Sequence, residues 1–185
     1  MSLFFDVNGY VKFFIGLLLC LLSLGIQADS KIESSTHEDR YRAAGHPSTS
    51  AAMFNDLSYD NDASIRKRVA SNRRTPKYIL LRLAKDSSQS VKISLATNLS
   101  APDEAYQILA KDMMLAVRSV VARFEYVPVA ALNILSKDKE ADIRLEVARN
   151  LNSTQTILME LTHDSDSTVK AIAEQALQRL HDENP

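Results

Sequence analysis

Glycine is nearly missing from this 185-residue chain: four occur, and after Gly9, Gly16 and Gly25 only Gly45 remains. Phosphate-cradling loops need glycine where the backbone must approach a ligand or adopt positive φ, and neither GxGxxG nor GxxxxGK followed by Ser or Thr is present. Nucleotide chemistry of those kinds is excluded. Tryptophan is absent, and the single cysteine, Cys20, lies inside an apolar run near the N-terminus. Leu17-Leu18-Leu19 before it lacks the small residues of a lipoprotein cleavage box, so a chain that loses this run is thiol-free. Such a chain forms neither disulfides nor thiolate metal sites and offers no cysteine nucleophile. There is no GxSxG elbow, and His37, His46, His163 and His181 show no HExxH-type spacing, so they are expected to face solvent. A formal net charge of −1 is not that of a dedicated nucleic-acid binder. No catalytic residue, cofactor, metal or small-molecule substrate is implied.

The N-terminal segment places Lys12 before an apolar run from Phe13 to Ile26, and Ile26-Gln27-Ala28 supplies a small residue where signal peptidase cuts. The run falls short of the ~20 residues a helix needs to cross the hydrocarbon core. Residues 1–28 are therefore expected to be a signal peptide, removed before Asp29, with the mature protein periplasmic or secreted. An uncleaved membrane anchor is the alternative, because Asp6 weakens the positive character of the segment before the run.

Beyond the leader the chain repeats. Leu57, Leu83, Leu109, Leu135 and Leu161 stand 26 residues apart, and so do Asp60, Asp86, Asp112, Asp138 and Asp164. Ile65, Val91, Val117, Ile143 and Val169 keep the same register, followed directly by Arg66, Lys92, Arg118, Arg144 and Lys170. Val69, Leu95, Val121, Val147 and Ala173 complete the pattern, with alanine after the first four. Ile65 and Val69, four apart, fall on one face of a short first helix. Pro76, Pro102 and Pro128 suit the first position of a second helix, with Thr75 as the N-cap before Pro76. Helices this short are marginal alone in water, below ~12 residues, so stacking must supply the stability.

The expected fold is an all-α, right-handed α-solenoid of about five 26-residue two-helix repeats with partial capping repeats. A short linker covers 29–39 and the repeat domain 40–182. Ala43 to Leu57 read as an N-terminal half copy, and Glu174 and Ala176 as marks of a polar C-terminal cap. Val69-Ala70-Ser71-Asn72 before Thr75-Pro76, Leu95-Ala96-Thr97-Asn98 before Pro102, and the recurring Leu-x-x-Asp resemble the leucine-rich repeat variant family, close to HEAT-like helical repeats. That resemblance implies the fold over roughly residues 40 to 180 and says almost nothing about activity. Some members carry an iron–sulfur cluster on a cysteine-rich segment; no cysteine here matches it, so no cofactor is implied.

The recurring Asp and Lys/Arg positions are expected to be structural. The Asp accepts from free N–H groups before a helix, and the basic residue crosses to a neighbouring Asp. Asn72, Asn98 and Asn150 are expected to satisfy turn backbone groups. Function is sought where the repeat breaks. Phe124 stands in place of the turn asparagine, Tyr126 follows it, and Met113-Met114 replace a polar pair, so these four are candidate partner-binding anchors, in two sets at opposite helix ends. Between residues 63 and 85 no acidic residue interrupts Arg66, Lys67, Arg68, Arg73, Arg74, Lys77, Arg82 and Lys85. From residue 101 onward nine basic residues face fourteen acidic ones. Arg66, Lys67, Arg68, Arg73, Arg74 and Lys77 are thus candidates for binding an anionic membrane surface or polyanion. The sequence implies a binding module with a protein partner, not an enzyme.

Overall fold

The computed structural model describes residues 35–183, whose regular elements are all helices, with no strand among them. Eleven helices follow in order: α1 (His37–Gly45), α2 (Ala51–Leu57), α3 (Ala63–Ser71), α4 (Lys77–Leu83), α5 (Gln89–Ala96), α6 (Asp103–Leu109), α7 (Leu115–Arg123), α8 (Val129–Leu135), α9 (Ala141–Arg149), α10 (Gln155–Leu161) and α11 (Ser167–Glu183). The expected leader lies outside the described residues. Among the described residues no helix is long and apolar enough to cross a membrane. The chain divides into two compact units, 1–40 and 41–185. The first is described only over its last residues, where Thr36 and Asp39 cap the start of α1 reciprocally, each side chain accepting from the other's backbone N–H.

Within the second unit the odd-numbered helices α3, α5, α7, α9 and α11 pack successively on one another, and α4, α6 and α8 do the same in a second row. Consecutive helices from α2 to α11 also touch, an arrangement consistent with a helical repeat. The recurring apolar positions form the core. Ile65, Val69, Val91, Leu95, Val117, Val121, Ile143 and Val147 are fully buried from the first row, and Leu83, Leu109 and Leu135 from the second. Ala70, Ala96, Ala122 and Ala148 are completely buried, so their small side chains set how closely neighbouring helices approach.

The scarcity of glycine is answered by the turns. No described residue has positive φ. Helices commonly end on a left-handed glycine, which returns N–H groups to the last carbonyls. Here α3 ends on Asn72 in extended conformation (φ −77°, ψ 120°), and α9 ends likewise on Asn150. A carbonyl near the end of α3, that of Ala70, is met instead by the side chain of Asn98 in the following copy, and that of Ala122 at the end of α7 by Asn150.

Three local expectations are corrected. Pro76, Pro102 and Pro128 are not the first helical residues but the extended residues before them, with ψ of 142°, 155° and 144°. Thr75 does not cap α4. Its hydroxyl donates 2.7 Å back to the Val69 carbonyl at the end of α3, and Thr49 and Ser153 do the same to Ala43 and Val147. The recurring Asp is not the N-cap either. Asp86 Oδ1 accepts from Ser88 N–H at 2.8 Å, and Ser88 is itself the N-cap of α5, so the aspartate braces the turn before the helix.

The two ends differ from their sequence reading. The N-terminal copy is not half a unit, because α1 starts 26 residues before α3 and occupies the place of a first helix, beginning within the stretch assigned to the linker. At the C-terminus Ala176 stands where Asn150 ends α9, and nothing stops the helix. α11 therefore runs 17 residues and covers both α9 and α10. Glu174 is exposed and Ala176 is buried, at 6% exposure.

Candidate functional site

The helices α3, α5 and α9 each run from an aspartate turn to an asparagine turn, α7 runs from an aspartate turn to the equivalent turn at Phe124, and after each a second helix returns. Two edges result, and each is laced by its own ladder.

On the aspartate edge, Arg66 Nε and an Nη donate to the two oxygens of Asp86 at 2.7 and 2.9 Å, and its other Nη donates to the Asp60 carbonyl at 2.8 Å. Arg118 binds Asp138 and the Asp112 carbonyl in the same way, and Arg144 binds Asp164 and the Asp138 carbonyl. Planar guanidinium forks suit this bidentate geometry. Lys92 reaches Asp112 through Nζ alone, at 2.5 Å. These side chains are mostly buried, so removing one partner strands a charge and costs about 3–5 kcal/mol. The Arg144 hydrogen bond holds Asp164 below its usual pKa against the opposing pull of burial, and the Asp166 N–H helps. For Asp86, burial pushes the pKa up, but hydrogen bonds from Arg66 and Ser88 outweigh it and the net shift is downward.

On the asparagine edge, Asn98 Nδ2 donates to the Ala70 carbonyl at 2.7 Å and the Asn72 carbonyl at 3.2 Å, joining one turn to the preceding one. Asn72 reaches Ala44 and His46, and Asn150 reaches Ala122 and Phe124. Each Oδ1 accepts from the N–H two residues on. Phe124 interrupts this ladder. The Tyr106 hydroxyl fills part of the gap, donating to the Asn98 carbonyl at 2.9 Å, and the two rings stack with centroids 5.9 Å apart. Burial raises the Tyr106 pKa to about 12, with Asp103 adding to it.

The candidate residues scatter accordingly. Arg66 is consumed by Asp86 and the backbone. Arg68 lies over the Tyr41 ring at 5.2 Å. Lys67 is exposed on α3, while Arg73, Arg74 and Lys77 are exposed together on the asparagine edge, so the six do not form one patch. Of the four anchor candidates, Met114 and Phe124 are half-buried and packed on the core, whereas Met113 and Tyr126 are 87% and 61% exposed. Met113 and Tyr126 lie at opposite ends of α7, on different edges. The four histidines are exposed. Among the described residues no group of three or more His, Cys, Asp or Glu could hold a metal.

What sequence reasoning missed is an apolar row. Tyr78, Leu99, Tyr126, Val129 and Leu151 are all exposed on the asparagine edge, in successive turns. Asn152 Nδ2 donates to the Glu125 carbonyl at 2.6 Å, tying the turn that carries Leu151 to the one that carries Tyr126. Leu99 and Leu151 occupy the same place in their turns as Arg73, a column too mixed in type to stand out as a period. Among the described residues Arg73, Arg74 and Lys77 form no ion pair, and neither do Asp103, Glu104 and Glu125 further along. A shallow cleft of about 510 Å³ separates Lys77 from the Leu99–Glu104 turn.

The aspartate edge is less continuous. Its exposed Tyr59 is covered by the Arg82 guanidinium, 3.8 Å from the ring centroid. Arg82 donates to Asn55 Oδ1, Ser58 Oγ and Tyr59 Oη, and its buried Nε–H has no acceptor. A cavity of about 340 Å³ beside it is lined by Asp60, Arg66, Lys85 and Asp86 among others, of which Arg66, Asp86 and the Asp60 carbonyl are already bound up in the ladder.

No protein-family model matches the chain. No curated protein matches it. One solved structure, described as an engineered protein, is 18% identical and covers 82% of this chain and 94% of its own, with a TM-score of 0.42. At that score the likeness carries no argument about fold or function.

Proposed function

We propose that the protein is an exported interaction scaffold: a right-handed α-solenoid of about five 26-residue repeats that binds a protein partner along its asparagine edge. The observation that carries this reading is the row of exposed Tyr78, Leu99, Tyr126, Val129 and Leu151 on turns that asparagine side chains join in two pairs, 72–76 with 98–102 and 124–128 with 150–154. Large apolar side chains held on a rigid backbone and flanked by charge are the ingredients of an interface centre with a polar rim. The recurring charged residues are engaged with one another and with backbone groups, which supports binding rather than catalysis. Kinship with the leucine-rich repeat variant proteins belongs to this proposal, as does cleavage of the leader before Asp29.

The test replaces Leu99, Tyr126 and Leu151 by serine. The triple variant is expected to keep the wild-type circular dichroism and thermal midpoint, since its targets are 46%, 61% and 68% exposed. It should lose retention of partners from envelope extract at high salt. Unchanged retention would end the assignment of this edge.

A second reading, an anionic membrane surface or polyanion as ligand, draws on Arg73, Arg74 and Lys77, three cations with no carboxylate partner at one turn. It requires binding to acidic liposomes that falls steeply between low and moderate salt.

A further inference from the structure

We infer that the asparagine edge is built to bind a second copy of this chain, the two copies lying antiparallel across a two-fold axis between the Asn72–Pro76 and Asn98–Pro102 turns. The inference rests on the reading of this edge as a binding surface and names its occupant. The edge is self-complementary in charge. Lys77 lines the cleft on one side, with Arg73 and Arg74 in the turn before it, and Asp103 and Glu104 line the other, and none of the five forms an ion pair among the described residues. Lys77 and Asp103 line the same cleft yet remain unpaired, so both charges are available to another molecule. A two-fold axis through that cleft sets each positive turn against the negative turn of the other copy, whereas side-by-side parallel copies would set like against like. In an isologous pair residue i meets j while j meets i, so one favourable match is made twice.

Size is complementary about the same axis. Leu99, 46% exposed, lies beside it and buries against the other copy near Tyr78. One turn further out, the small exposed Pro47, Ala51 and Ala52 stand opposite Tyr126 and Val129, so a flat stretch receives a projecting one. An extended polyanion fits the same edge poorly. After Arg73, Arg74 and Lys77 it would run onto Asp103, Glu104 and Glu125, where like charges repel.

Sedimentation equilibrium of the purified full chain decides the matter, with two charge variants, R73E/R74E/K77E and D103K/E104K. Wild type is expected to dimerise, with a dissociation constant rising about tenfold or more as salt shortens the Debye length to about 3 Å at 1 M. Each variant alone should be monomeric, with like charges opposed across the axis. An equimolar mixture of the two should recover dimer, because each edge now matches the other. L99R, which places a bulky charge at the axis, should also be monomeric and guards against a charge variant that fails to fold. A monomeric wild type, variants that dimerise as wild type does, or a mixture that stays monomeric would each overturn the proposal. If the wild type is monomeric but the L99S/Y126S/L151S variant still loses its envelope partner, only the second copy is refuted. If that variant loses neither partner nor dimer, the edge itself is not the binding surface.

Discussion

Tyr106 and Phe124 depart from their columns together, and the structure gives the reason. Leu80, Leu132 and Leu158 occupy the place of Tyr106, and Asn72, Asn98 and Asn150 that of Phe124, so one pair of rings replaces a leucine and a ladder asparagine. Phe124→Asn or Tyr106→Leu alone should each cost about 1–3 kcal/mol, from lost stacking and an unsatisfied buried polar group. The double variant restores the regular pattern and should cost less than the sum. A double-mutant cycle by urea unfolding measures the coupling, and strict additivity would show the two sites to be independent. Acid sensitivity also belongs to single residues. The folded pKa of Asp164 lies below its ordinary value of 3.8, so its ionised form stabilises the fold. That contribution is complete above the unfolded pKa and is lost as pH falls through the folded one. Midpoints recorded between about pH 5 and 2 should fall less steeply in Asp164→Asn than in wild type. Parallel curves would remove Asp164 from the acid transition.

Among the helices, the joint between α5 and α7 has the thinnest polar lacing. Lys92 offers one ammonium where Arg66, Arg118 and Arg144 each offer a fork plus a bond to their own turn, and Phe124 breaks the asparagine ladder at the same joint. The hydroxyl that closes α3 and α9 is also missing after α5 and α7, where Ala101 and Val127 stand in its column. Lys92→Arg should restore the bond to the Asp86 carbonyl and raise stability by about 1 kcal/mol. A lowered thermal midpoint would show that the joint is fitted to the slimmer ammonium. The element pattern was legible in sequence because burial and ladder pairing act at every copy, leaving one residue type per column. Helix ends were less legible. Thr75 and the aspartates bond over two to six residues in directions that spacing does not specify, so a hydroxyl before proline reads equally as a cap for the next helix or a latch on the last. The apolar row was invisible because surface positions tolerate any residue, and Arg73, Leu99, Glu125 and Leu151 form no period.

The described chain is closed at its C-terminal end by α11, whose Leu177 and Leu180 lie against the core while Glu174, Gln178 and Arg179 face outward. Deleting residues from Ser167 onward should uncover Ile143, Val147 and Leu158, lowering the thermal midpoint and solubility together. A truncated protein that keeps the wild-type solubility and midpoint would contradict stacking as the source of stability. The same stacking sets turns that are 26 residues apart in sequence side by side, and so places five unrelated exposed side chains on successive turns of one edge. Photocrosslinkers placed singly at Leu99, Tyr126 and Leu151, and for comparison at Lys85, Lys111 and Lys137 on the aspartate edge, test that claim most directly. Incubated with envelope extract, the first three positions are expected to give discrete adducts and the second three none; with unlabelled protein, Leu99 and Tyr126 are expected to give them. Adducts confined to the lysine positions, or equal at both edges, would contradict the account.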